Sequence, residues 1–249
     1  MFWKAVNKVI ADSDIIILVL DARYIDDTRN KEVEDKVAKS GKPLIYALNK
    51  CDLSDQEYLE IQRKKLKYAI FVSSTEYHGI KMLKERIYTL ASQLNYDVPR
   101  VGLLGYPNVG KSSLANALKG KGSASTSAVA GHTRGRQHVR AKDFLILDTP
   151  GVIPYKEKDD GKHAMIGAKS AEQIKDPEEA VFYLLDQHGS EVAKKYGVEL
   201  GDYEEFLEEV GRQKRYLIKG GVIDTERAAR AILKEWQTGK RDQGKKSFK

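Results

Sequence analysis

The segment Gly105-Tyr106-Pro107-Asn108-Val109-Gly110-Lys111-Ser112 spaces two glycines, a lysine and a hydroxyl as a backbone cradle for phosphate requires. The glycines let the chain curl so that successive N–H groups converge on phosphate oxygens. Lys111 adds positive charge at the outer phosphates, and the Ser112 hydroxyl suits a Mg²⁺ ion. Ser113 opens the helical stretch Ser113–Leu118 that the motif needs behind it. Asp148-Thr149-Pro150-Gly151 suits the same chemistry: a carboxylate that holds Mg²⁺, usually through water, and a Gly151 N–H that reaches a terminal phosphate oxygen.

Two further segments suit a base rather than a phosphate. In Asn49-Lys50-Cys51-Asp52 the aspartate can accept both the N1–H and the N2 amino hydrogens of guanine. Adenine offers neither, and an unpaired buried carboxylate costs about 1–3 kcal/mol or more. Lys50 can lie along the base plane, and the Asn49 amide can brace the loop. In Ser73-Ser74-Thr75, small side chains let a backbone N–H approach guanine O6. The set predicts GTP or GDP with Mg²⁺, bound by Asn49, Lys50, Asp52, Ser73, Ser74, Asn108, Val109, Gly110, Lys111, Ser112, Ser113 and Gly151.

Such groups converge only if the elements before them end at one edge. Five apolar runs read as buried strands: Ile15–Leu20, Leu44–Leu48, Ala69–Val72, Val101–Leu104 and Phe144–Leu147. A polar sixth strand is expected around Gln137–Ala141. Ile80, Leu83, Ile87, Leu90, Ala91 and Leu94 recur at helical period between two of the runs. Strand–helix alternation predicts an α/β, doubly wound, mostly parallel six-stranded sheet, with ligands at the carboxyl ends of the strands. After about Ala168 the patterns become helical, including Pro177–Gln187, Tyr203–Gln213 and a helix from Asp224 or Thr225. The expected organisation is a nucleotide domain over 1–172 and a small helical domain over 173–249 with a basic tail.

Among the 249 residues, Cys51 is the sole cysteine, which excludes an internal disulfide and favours the cytoplasm. The longest apolar run, six residues, is far short of the roughly 18 of a membrane span. The net charge of +7 is unevenly spread: Lys119–Lys142 carries six bases and no acid, and the chain is basic again from Gly211. Two basic blocks suit a nucleic-acid partner. Arg227, Arg230 and Lys234 line one face of the last helix, the expected RNA contact.

The four motifs resemble those of the Ras-like GTPases, but with base recognition first and the phosphate loop later. That order resembles the circularly permuted GTPases of the YlqF/RbgA/YawG family, as do Asp21-Ala22-Arg23, Asp148-Thr149-Pro150-Gly151 and the tract from Tyr203 through Gly220-Gly221 to Ala229. The resemblance implies a P-loop GTPase fold and a partner in the large ribosomal subunit or its rRNA. It also implies that Thr133 is the switch residue closing over Mg²⁺ and the γ-phosphate. The implied catalytic groups are Lys111, Thr133 and Gly151, and the implied metal ligands are Ser112, Thr133 and Asp148. Asn108 matches an asparagine that helps bind K⁺ in related GTPases. Val152 stands where Ras-type enzymes carry the water-orienting glutamine, so slow intrinsic turnover is expected; His132 and His163 are the candidate substitutes. A monomer is expected. The competing reading is an RNA-binding scaffold stabilised by nucleotide with negligible turnover.

Overall fold

The computed structural model describes residues 2–54, 56–66, 68–120, 137–140, 143–148 and 159–239. It divides by internal contacts into two units, Met1–Glu157 and Lys158–Lys249.

The first unit begins with an amphipathic helix, α1 (Phe2–Asp12), that leads into β1 (Ile15–Asp21). Every residue of β1 is buried, as an all-apolar run demands of a central parallel strand. The short α2 (Ile25–Thr28) and then α3 (Lys31–Lys39) follow, the latter capped by the Asn30 side chain accepting from the Val33 N–H. Next come β2 (Leu44–Asn49), α4 (Gln56–Arg63) and β3 (Ala69–Phe71). Helix α5 (Ile80–Gln93) buries Ile80, Leu83, Ile87, Leu90 and Ala91. Leu94, expected on the same stripe, is instead the residue that ends the helix and is 42% exposed. The second half of the unit holds β4 (Arg100–Leu104), α6 (Lys111–Lys119), β5 (Gln137–Arg140) and β6 (Leu145–Asp148).

The strands lie in the order β3-β2-β1-β4-β6-β5. Five run parallel, and β5 adds antiparallel to β6 at one edge, where a polar strand is tolerated. The centre of the sheet is the β1–β4 pair, with Ile15 to Leu18 in register with Val101 to Leu104. The sheet reverses there: β1, β2 and β3 run outward on one side, and β4 to β6 make the other. A ligand crevice forms at such a switch point in open α/β sheets.

The second unit contains α7 (Asp160–Met165), α8 (Pro177–Tyr196), α9 (Tyr203–Gln213) and α10 (Thr225–Gln237). Asp224 caps α10 by accepting from the Arg227 N–H, so of the two candidates it is the cap and Thr225 the first helical residue. Helix α8 runs past the expected Gln187 to Tyr196, with a kink at His188 (φ −137°, ψ 22°). The contacts place the division between units earlier than 172/173. Helix α7 belongs with the helices, because Trp236 Nε1 donates to the Met165 carbonyl (3.1 Å) and Gln237 Nε2 to the Ala164 carbonyl (2.7 Å).

Candidate functional site

Register brings the ends of β1 and β2 level, with Asp21 opposite Asn49. Asn49 is buried, and its amide is satisfied on both ends. Nδ2 donates to the Val109 carbonyl of the glycine-rich loop (2.8 Å), while Oδ1 accepts from the Ser74 hydroxyl (2.8 Å) and N–H (3.2 Å). One side chain thus ties together the loops after β2, β3 and β4. Gly110 is required beneath it: its φ is +94°, and a Cβ there would collide with Asn49 Nδ2. Gly105 is pressed in the same way against the Val19 carbonyl.

Lys111, although charged, is only 5% exposed. Its ammonium donates to the carbonyls of Gly105 (3.0 Å) and Tyr106 (2.6 Å), which hold it inside its own loop. Helix α6 starts at Lys111 without a side-chain cap, so Ser112 and Ser113 stand exposed in a first turn whose dipole favours an anion. Asn108 is exposed at the loop's bend with φ +59°.

On the base side, Lys50 adopts a left-handed conformation (φ 62°) and extends its ammonium to Asp21 Oδ2 (2.8 Å). Asp52 follows in a short 3₁₀ turn; its buried Oδ1 has no hydrogen-bond partner among the described residues. An orphaned buried acceptor at this position fits a ligand that brings hydrogens to it. The N–H groups of Ser73 and Ser74 are engaged, Ser73 with the His78 carbonyl (3.1 Å) and Ser74 with Asn49. Between Lys50 and Asp52, the Cys51 thiol is pushed up to about 11 by burial and the Asp52 charge, which removes it as a nucleophile.

Asp148 ends β6 with its backbone beside Leu103, close in the chain to Gly105. Thr133, Gly151, Val152 and His132 lie outside the described residues, as does the side chain of Asp148. His163 is described: it is 2% exposed within α7, a core residue of the helical unit rather than a group presented at a surface.

In the sequence, Asp21 and Arg23 stand out only as part of a family signature, with no role of their own. Asp21 is fully buried, yet held to about 2; burial alone would raise it, but the neighbouring Lys50 and Arg23 charges and the Arg23 hydrogen bonds overcome that. The signal was available: an acid closing an otherwise all-apolar strand must be buried, and a buried carboxylate needs cations.

The basic face expected on α10 is largely used within its own unit. Arg230 donates to the carbonyls of Ala171 (2.7 Å) and Ile174 (3.2 Å) and pairs with Glu226 (2.7 Å). Arg227 lies 4.4 Å from the Tyr216 ring centre, and Lys234 is 3.8 Å from Glu172. Two further exposed bases, Arg215 and Lys219, stand on the turn before α10, in the segment that also exposes Leu217, Ile218 and Val222. Among the described residues, no helix is long and apolar enough to cross a membrane.

Known proteins share this arrangement. A family model described as RsgA GTPase matches residues 4–156, and one described as 50S ribosome-binding GTPase matches residues 100–219. A GTP-binding protein of Methanocaldococcus jannaschii is 41% identical, over 95% of this chain and 65% of its own length. Nucleolar GTP-binding protein 2 of Saccharomyces cerevisiae is 31% identical, over 96% of this chain and 51% of its own length. The chain therefore spans about half to two thirds of these relatives. Among solved structures, GDP-bound YlqF matches with a TM-score of 0.68 at 28% identity, covering 94% of both chains. GNP-bound YlqF from T. maritima matches at 0.65 and 26%, covering 96% of this chain and 94% of that one.

Proposed function

Because the chain belongs to the circularly permuted GTPases of the YlqF/RbgA type, we propose that it binds GTP with Mg²⁺ and hydrolyses it to GDP and phosphate. The cycle acts as a switch in assembly of the large ribosomal subunit. The observation that carries this reading is the Asn49 clamp, which sets the base-side loops and the phosphate loop around one crevice and leaves the Asp52 acceptor beside it.

In this reading Asp52 takes the N1–H and N2 hydrogens of guanine, and Lys50 covers the base. Lys111 exchanges its loop carbonyls for phosphate oxygens, which are stronger partners for an ammonium. The N–H groups of Asn108 to Ser113 line the phosphates, and Gly151 meets the γ-phosphate. Ser112, Asp148 and Thr133 would hold Mg²⁺, whose charge offsets that developing on the phosphates. Asn108 stands where a K⁺ ion would add to that charge. Val152 cannot orient water, so intrinsic turnover is slow; an activating partner supplies the rest, worth about 10³–10⁵ in rate in other GTPases. The chain after Gly151 continues directly in sequence into the helical unit, so γ-phosphate contact at Gly151 is coupled to that unit. Identical small-angle scattering with GDP and with a non-hydrolysable GTP analogue would remove this coupling.

The deciding experiment is substitution Asp52→Asn, which should shift preference from GTP toward xanthosine triphosphate; unchanged GTP affinity overturns the base-recognition assignment. Steady-state hydrolysis with and without large ribosomal subunits tests the partner. Val152 favours one alternative, an RNA-binding scaffold that turns nucleotide over negligibly, and absence of stimulation together with nucleotide-independent subunit binding would select it.

A further inference from the structure

The reading above leaves the buried charge cluster at the end of β1 unused. The Asp21 carboxylate is gripped from both sides: Arg23 donates Nε to Oδ1 (2.9 Å) and Nη2 to Oδ2 (2.7 Å), and Lys50 donates Nζ to Oδ2 (2.8 Å). The Arg23 side chain is 2% exposed and that of Lys50 about a quarter. Asp52 is two residues beyond Lys50, and its charge reaches the Arg23 guanidinium as well. The Arg23 charge therefore reaches Asp52 and Lys50 is its near neighbour in sequence, yet the buried Asp52 Oδ1 accepts no hydrogen bond among the described residues. A carboxylate within reach of such a charge would ordinarily be captured by it.

We propose that Asp21 is a specificity-determining positioning residue: by holding Lys50 and Arg23, it keeps both cations off Asp52, whose carboxylate is thereby reserved for the guanine hydrogens. The inference rests on Asp52 as the base-reading acid. Asp21 need not touch nucleotide to set specificity. Without it, Lys50 and Arg23 lose their shared acid, while Asp52 stands two residues from Lys50 in sequence and within reach of the Arg23 charge. A cation on that carboxylate competes with N1–H and N2–H for the same lone pairs. The loss then falls on the contacts that distinguish guanine, beyond any general weakening of the fold. The same cluster explains why an acid stands at the end of an all-apolar strand, where any neutral residue would be cheaper to bury.

Calorimetric titration with GDP and with inosine diphosphate tests this, because hypoxanthine lacks the 2-amino group. Asp21→Asn should narrow the GDP-over-IDP preference by about tenfold, the scale of one hydrogen bond to a charged group. Adding Lys50→Gln and Arg23→Gln to Asp21→Asn removes both competing cations and should restore the preference, with both affinities lowered together. A purely structural role weakens both ligands by the same factor, and an unchanged ratio in Asp21→Asn overturns the proposal. If loss of the acid prevents folding, Asp21→Asn with Arg23→Met leaves only the part-exposed Lys50 to be solvated, and the same narrowing is expected of it. Failure of the base-reading assignment looks different: the unaltered protein would show no GDP-over-IDP preference, and Asp52→Asn would gain no affinity for xanthosine diphosphate.

Discussion

Asn49 satisfies every polar atom of its amide within the protein, and its three partners sit on two different loops. Removing it leaves the Val109 carbonyl and the Ser74 donors to find water in a buried place. Asn49→Ala should therefore cost about 1–3 kcal/mol in chemical denaturation, and should raise the GDP dissociation rate because the two loops lose their common tie. Asp21 gives a second prediction at this scale. Its carboxyl titrates near 3.8 in an unfolded chain and at about 2 in the fold. The ionised form thus stabilises the fold above the unfolded value, by roughly 2 kcal/mol, and that contribution is lost as pH falls from about 4 to about 2. Circular dichroism through that window should show a steeper acid transition in the unaltered protein than in Asp21→Asn.

The glycine-rich loop works because β4 delivers it and α6 receives it. At Gly110 a methyl group would meet the Asn49 amide while the backbone already holds a left-handed φ. Gly110→Ala should lower GDP affinity by at least tenfold, since strain and collision together exceed the ~1–2 kcal/mol of the left-handed penalty alone. The thermal midpoint of the helical unit should not move. Much of this was legible in advance. The strand runs and motif order place the loops at one edge of the sheet, because an all-apolar run followed by glycines has few other uses. The parts that were not legible depend on distant partners. Arg230 reads as one base on an exposed face, but its guanidinium is taken up by carbonyls of Ala171 and Ile174, far away in sequence. Periodicity reports which face a residue is on and carries no information about what has packed against that face. Helix α8 outruns its local pattern for a similar reason: His188 interrupts the local geometry, and Gly189 accepts the Leu200 side chain from beyond the helix.

For the whole molecule, the charge pattern makes two predictions of opposite kind. Arg230→Glu should lower the thermal midpoint of the helical unit, because it strips donors from two carbonyls. Arg215→Glu with Lys219→Glu should leave the stability of that unit within about 0.5 kcal/mol of its original value, as surface changes generally do. The same pair should weaken co-sedimentation with ribosomal subunits and reduce the slope of binding against log salt by about two. The strand order carries a further consequence. One contiguous stretch, through β3, contributes the β1 side of the central pair and all the base-side loops; the next, from β4, contributes the phosphate loop. The two stretches meet in the β1–β4 pair and in the Asn49 amide, whose Nδ2 donates to the Val109 carbonyl of the later stretch. The site is thus a seam between the early and the late half of the unit, and a chain cut between β3 and β4 would lack one side of it.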